Sequence, residues 1–238
     1  MENTVLTDPA LNQLVYNALS FGTAVMLGAF VYFLTQIKSV AKQYQAGVAA
    51  SAVVVGIAGY HYFRIFSGWA EGVVNEGYRY ADWLITVPLL VIELLIVLGL
   101  TPERRKALMR TLVPATVLMI ALGYPGEIST ENGTKWLFWF LSMVPFVYIL
   151  ATLRGELAKA KSRETGEVSS AISNATTVLL VTWLFYPVVY LFPIFFGTGN
   201  EVAETARQVG YTIADVTAKA FYGLMVLGIA RARSGDVH

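Results

Sequence analysis

The chain of 238 residues has no cysteine and only two histidines, and 14% of its residues are charged. Without cysteine there is no disulfide framework, no Cys-ligated zinc or iron–sulfur centre and no thiol nucleophile, and two histidines leave little for a metal site. Charge of one sign is lacking too. Seventeen Lys and Arg against sixteen Asp and Glu give a net charge of +1, which provides no basic footprint for nucleic acid and no acidic tail. The opening stretch MENTVLTDPALNQ carries Glu2 and Asp8 but no Lys or Arg, so it lacks the positive region of a secretory signal and reads as part of the mature chain. What the chain has in quantity is apolar: 56% hydrophobic and 13% aromatic residues, with a mean hydropathy of +0.58. That balance belongs in a bilayer.

A spanning helix needs about 20 mostly apolar residues, and the sequence offers seven such runs, near 13–36, 45–66, 79–101, 108–124, 136–153, 172–195 and 207–230. The fourth is the shortest, and the turns between runs are brief. The expectation is an all-α membrane protein, a seven-transmembrane helix bundle forming a single domain over 1–238, multi-pass in the cell membrane. Basic residues accumulate in short cytoplasmic loops. Lys38 and Lys42 fall in the first loop; Arg104, Arg105, Lys106 and Arg110 in the third; Arg154, Lys159, Lys161 and Arg163 in the fifth; Arg231 and Arg233 in the tail. Those twelve share one side, whereas the opposite loops hold only Arg64 and Lys135. The N-terminus is expected outside and the C-terminus in the cytoplasm.

Ionisable groups inside a membrane are costly and mark function by default. The third run reads RYADWLITVPLLVIE, placing Arg79, Asp82, Thr86 and Glu93 on one helical stripe at intervals of three, four and seven. Asp82 and Glu93 are separated by about 16 Å along the axis and by only about 20° around it. Two carboxylates on one face, with a hydroxyl between, suit stepwise proton transfer; they also suit a hydrated pore or a cation site. In the seventh run, Asp215 and Lys219 in ADVTAK are spaced i, i+4 and share a face. A buried salt bridge accounts for that pair, and so does a desolvated amine able to condense with an aldehyde.

These residues carry a resemblance. In order along all seven runs stand GYHYFR (59–64), RYADWLITVPLL (79–90), GYPGE (123–127), WLFYPVVY (183–190) and ADVTAKAFYG (214–223). Together they resemble the microbial rhodopsins, in particular the proteorhodopsin and xanthorhodopsin-like light-driven proton pumps. The resemblance implies that Lys219 carries all-trans retinal as a protonated Schiff base with Asp82 and Asp215 as counterions. A buried cation needs such compensating charge. It also implies that Asp82 accepts the proton and that Glu93 returns one from the cytoplasmic side. Glu93 lies among Val91, Ile92, Leu94 and Leu95, where a desolvated carboxyl favours its protonated form.

His61 on its own reads as a packed core residue, but the resemblance makes it a hydrogen-bond partner of Asp82, the two titrating as a unit. The second histidine, His238, is terminal. Most Tyr and Phe are assigned to packing or to the interfacial belt. The resemblance singles out Trp83, Trp183, Tyr186 and Tyr190 as the box around the polyene and Pro187 as a wall. Val87, Leu90, Met119, Gly123, Ser142, Phe146 and Ala218 complete the lining, and an apolar Leu90 resembles the green-absorbing type.

Two departures narrow the reading. Trp139 stands where antenna-binding xanthorhodopsin-like proteins have Gly, which argues against a carotenoid antenna. Arg207 stands where some archaeal pumps place a release carboxylate, with Glu201 and Glu204 only nearby, so no release group is assigned. The function expected is a light-driven outward proton pump, an ion transporter rather than an enzyme, acting as a homo-oligomer in the lipid bilayer. The alternative is a sensory rhodopsin with the same chromophore. Sodium pumps of the family carry an Asn–Asp–Gln pattern and chloride pumps lose the acceptor carboxylate; Asp82, Thr86 and Glu93 match neither. The expectation is that no signalling domain is appended, and an intact donor favours pumping over sensing.

Overall fold

The computed structural model describes residues 6–197 and 199–235; Glu2 and His238 lie outside the described residues. All regular structure among the described residues is helical. The first helix, α1 (Pro9–Gln36), starts where Asp8 Oδ1 accepts from the backbone N–H of Ala10 at 2.8 Å and Leu11 at 3.3 Å, with Pro9 in the first turn where no intrahelical donor is lost. A short 3₁₀ turn leads to α2 (Gln45–Ala70), followed by α3 (Gly77–Val97) and α4 (Pro102–Glu127). Then come α5 (Asn132–Arg163), α6 (Gly166–Tyr190), a single turn α7 (Phe192–Phe196) and α8 (Glu201–Asp215). A π turn over Val216–Phe221 joins α8 to α9 (Tyr222–Ser234), so that α8 and α9 form one seventh span.

The helices overrun the apolar stretches because capping, not hydropathy, sets their ends. Thr101 caps α4 and Asn200 caps α8, each through its side-chain oxygen. The shortest apolar run thus belongs to a helix of 26 residues, whose charged first turns are fully helical. In the other direction, α3 stops at Val97 rather than 101. Gly99 takes φ +64° there, a conformation that turns the chain into the Thr101 cap.

Successive helices α1 to α6 pack side by side, and the seventh span closes the ring against α1 and α6. All seven spans are long and apolar enough to cross a membrane. Phe21, Val31, Phe140, Val144 and Val181 are exposed and point away from the bundle, the outward apolar surface of an integral membrane protein. The most apolar stretches of α3 and the seventh span are 61% buried, against 28% for α1, α4, α5 and α6. The two helices richest in internal charge are therefore the two most enclosed.

One close approach links the outer ring to the interior. A Cβ added at Gly22 of α1 would lie 2.7 Å from Cε1 and 2.8 Å from Cδ1 of Tyr62, a ring that is itself only 1% exposed. Replacing an interior helical Gly by Ala ordinarily gains about 0.5–1 kcal/mol. Here Gly22→Ala should instead cost about 1–3 kcal/mol through overpacking and lower the unfolding midpoint in detergent micelles; an equal or raised midpoint would show that the Tyr62 ring yields freely.

Candidate functional site

The π turn is where the backbone builds the site. A widened turn inside a helix is uncommon and concentrates at functional positions, and this one holds Lys219, 1% exposed. Lys219 Nζ donates to Asp82 Oδ2 across from α3 and lies 3.0 Å from Asp215 Oδ1 on its own span. The regular i, i+4 geometry expected for Asp215 and Lys219 is replaced by this wider turn, yet the two side chains still meet.

The two carboxylates differ in how many donors they already hold. Asp215 Oδ1 accepts from Trp83 Nε1 at 2.9 Å and Tyr186 Oη at 2.7 Å, and Oδ2 from Tyr62 Oη at 2.9 Å, with the Arg79 guanidinium 3.6 Å away. A carboxylate accepting several donors is held as the anion. Asp82 has Lys219 on Oδ2, but its Oδ1 is buried without a hydrogen-bond partner. Of the two, Asp82 is the one with an acceptor atom to spare.

His61 meets Asp82 differently from the expectation. Its Nδ1 is 3.8 Å from Asp82 Oδ1, too far for a hydrogen bond, and 3.0 Å from the Ile57 carbonyl. A carbonyl can only accept, so the tautomer with its proton on Nδ1 donates to the residue one turn back. Thr86 likewise donates to the Asp82 backbone carbonyl at 2.9 Å and not to its carboxylate. Arg79, Asp82, Thr86 and Glu93 are all buried, as the stripe requires. Glu93 is 0% exposed, surrounded by buried Val91, Leu94 and Leu95, and neither of its oxygens has a hydrogen-bond partner.

Beside Lys219 opens a cavity of about 730 Å³, its mouth included. Trp83, Val87 and Leu90 come from α3, and Met119 and Gly123 from α4. Trp139, Ser142 and Phe146 come from α5, Trp183, Tyr186, Pro187 and Tyr190 from α6, and Ala218 and Lys219 from the last span. Asp215 touches Lys219 but does not line the cavity. Tyr80, Ile120, Met143 and Tyr211 line it as well and escaped the sequence reading, because nothing separates them from packing residues in the string. Trp83 and Tyr186 meet edge to face with centroids 5.3 Å apart, and the Trp139 indole donates to the Pro187 carbonyl at 3.1 Å, tying α5 to α6.

A second polar network, also missed, occupies the end of the bundle nearest the N-terminus. Arg207 pairs with Glu127, with Glu204 at 2.8 Å and with Glu76 at 3.2 Å. Gln208 bridges it inward: its Nε2 donates to Glu76 at 2.5 Å, and its Oε1 accepts from Arg79 at 2.8 Å. Tyr80 and Tyr211 both donate to Glu127, at 3.2 and 3.1 Å. Arg79 and Tyr62 join this network to Asp215. The one sequence signal was helical spacing, since Glu204, Gln208, Tyr211 and Asp215 recur at intervals of three and four.

Residues 14–232 match the family described as bacteriorhodopsin-like protein. The chain belongs to that family of microbial rhodopsins. It is 28% identical over 225 residues to the green-light absorbing proteorhodopsin of Gamma-proteobacterium EBAC31A08, covering 93% of this chain and 89% of the relative. Among solved structures, it matches thermophilic rhodopsin at 44% identity and a TM-score of 0.88, over 95% of this chain and 96% of the other. It matches xanthorhodopsin, described as a light-driven ion pump with dual chromophore, at the same identity and TM-score over 95% of each chain.

Membership of this rhodopsin family implies a retinal chromophore, and the site fits one. A cavity walled by aromatic and apolar side chains ends at a buried primary amine with two carboxylates around it. Arg207 lies twelve residues before Lys219, about 18 Å along the helix, and serves the bundle rather than the cavity. Arg207→Leu would leave Glu127, Glu76 and Glu204 facing one another without their shared cation, at a cost of about 3–5 kcal/mol. Thermal unfolding of the retinal-bound protein should show a clearly lowered midpoint, and an unshifted midpoint would mean that the network contributes nothing to stability.

Proposed function

We propose that this rhodopsin is a light-driven outward proton pump. The observation that carries the reading is the unequal pair of carboxylates around Lys219: Asp215 is saturated with donors, while Asp82 keeps a free acceptor oxygen. Retinal, bound covalently through Lys219, supplies a light-driven isomerisation that changes the direction and basicity of the nitrogen. Lys219 Nζ then gives its proton to the Asp82 carboxylate, which discharges both partners in a medium where separated charge is costly. Asp215, fixed by Tyr62, Trp83, Tyr186 and Arg79, keeps its charge and preserves the electrostatic frame. His61, beside Asp82, is positioned to respond when that carboxylate is neutralised.

Glu93 supplies the return proton to Lys219 Nζ from the opposite half of α3. Its two unpartnered oxygens among Leu and Val side chains favour the neutral acid, a form that holds a proton until the nitrogen needs it. The twelve basic residues on the Arg231 side support a cytoplasmic placement of that end, with Glu93 toward the cytoplasm and the Arg207 network toward the outside. Trp139 closes the gap between α5 and α6, which supports retinal working without a carotenoid beside it. The printed description of xanthorhodopsin as a light-driven ion pump, and the proteorhodopsin relatives, support the same reading.

A sensor using the same chromophore has no need of rapid proton return, so Glu93 separates the two functions. Glu93→Gln should keep the colour of the protein, because the side chain lies about 16 Å along α3 from Asp82. Flash photolysis should show decay of the deprotonated, blue-shifted intermediate slowed severalfold and made strongly pH dependent, with partial recovery in azide. Decay matching the unmodified protein at every pH would remove Glu93 as donor and favour the sensor.

A further inference from the structure

Glu93 is separated from the reacting amine by more than one hydrogen bond. Measured from Asp82, which Lys219 touches, it lies about 16 Å along the axis of α3, whereas a proton moves between groups about 3 Å apart. Thr86, in that interval, already donates to the Asp82 carbonyl, and the buried Leu90, Val91, Leu94 and Leu95 offer no polar atom, so a further polar group there stands out. Tyr222 is such a group. It is 1% exposed and its hydroxyl has no hydrogen-bond partner, and the Gly47–Ser51 turn of α2 lies against both it and Glu93: a Cβ added at Gly47 would be 3.4 Å from the Glu93 carbonyl oxygen, and one added at Gly223, next to Tyr222, 3.4 Å from Ser51 Cβ. It follows Lys219 by three residues, directly after the π turn, so it sits about one turn from the amine on the Glu93 side.

A buried hydroxyl without a partner carries the full penalty of its desolvation, and a phenylalanine would fill the same space without that penalty. Glu93 pays the same kind of penalty twice over, since both its oxygens are unpartnered. The two orphaned groups, on the neighbouring helices α3 and α9, are complementary: a protonated carboxyl donates and a phenol oxygen accepts. Ser51 of α2 adds a third hydroxyl to this spot, close to Glu93 and packed against the backbone at Gly223, where an added Cβ would come within 3.4 Å of Ser51 Cβ. Ser51 already has a bond, to the Gly47 carbonyl at 3.4 Å. That leaves Tyr222 as the uncommitted hydroxyl on the helix that carries Lys219.

We infer that Tyr222 is the first step of the proton path from Glu93 to Lys219, the rest being covered by water that enters when the path opens. The Tyr222 oxygen takes the proton of the Glu93 carboxyl while its own hydroxyl proton passes to that water, which hands one of its protons on to Lys219 Nζ. The O–H bond of Glu93 breaks, one O–H bond forms on Tyr222 as the other breaks, the water gains one O–H bond and loses one, and an N–H bond forms on Lys219. The phenol is neutral before and after, and Glu93 is left as the carboxylate. This inference rests on the reading of Glu93 as donor.

The test is Tyr222→Phe in the retinal-bound protein, which removes only an oxygen that bonds to nothing in the resting structure. Its unfolding midpoint should therefore be equal to or above that of the unmodified protein, so a kinetic defect cannot be ascribed to poor folding. Decay of the blue-shifted intermediate should slow severalfold, and the infrared C=O band that disappears in Glu93→Gln should shift in frequency. In the double variant Glu93→Gln with Tyr222→Phe, decay should be no slower than in Glu93→Gln alone, because both changes interrupt one path. Slow decay in Glu93→Gln with unaltered decay and an unmoved C=O band in Tyr222→Phe would overturn the relay and leave the donor in place. Unaltered decay in Glu93→Gln itself would overturn both.

Discussion

The structure is organised around one buried cation. A primary amine removed from water into a bundle of apolar helices is tolerated only if opposite charge and hydrogen-bond donors are arranged around it. Lys219 meets that condition with Asp82 from α3 and Asp215 from its own span. Asp215 in turn commits Tyr62 from α2, Trp83 and Arg79 from α3 and Tyr186 from α6. Four helices are thus registered against one another by the requirement to keep a single charge neutralised. The close approach of α1 at Gly22 packs on the same Tyr62 ring.

The two halves of the bundle solve the problem of buried polar groups in opposite ways. At the Arg207 end, three glutamates, two arginines, Gln208 and three tyrosines satisfy one another in a continuous network reaching Asp215. At the Glu93 end, a carboxyl and a phenol are enclosed by Leu and Val with their oxygens unpartnered. Fully satisfied networks rigidify a structure, whereas unsatisfied groups hold free energy that a change of state can release. A polar network thus stands on one side of the amine and an apolar barrier on the other, the asymmetry on which the proposed outward direction of transport rests.

Much of the fold and part of the site were legible in the string. Period and length placed the seven spans, and the intervals between Arg79, Asp82, Thr86 and Glu93 placed them on one buried face. Helix ends were less legible, because Asp8, Thr101 and Asn200 cap through single side chains that hydropathy does not register. The π turn at Lys219 left no trace in composition. Residue contacts across the bundle were the hardest to read: Arg207 reaches Glu127 and Glu76, 80 and 131 positions away, and no periodicity joins them. His61 shows a third kind of miss. The resemblance implied a hydrogen bond to Asp82, whereas Nδ1 lies 3.8 Å from Asp82 Oδ1 and 3.0 Å from the Ile57 carbonyl, one turn back on its own helix.

Transport direction is the most direct measure of what this asymmetry does. Cells that express the chain and are supplied with all-trans retinal would be illuminated in weakly buffered medium while the external pH is followed. The account predicts external acidification in the light that reverses in the dark and is abolished by a protonophore. External alkalinisation, or no protonophore-sensitive change in cells whose membranes carry the coloured protein, would contradict it.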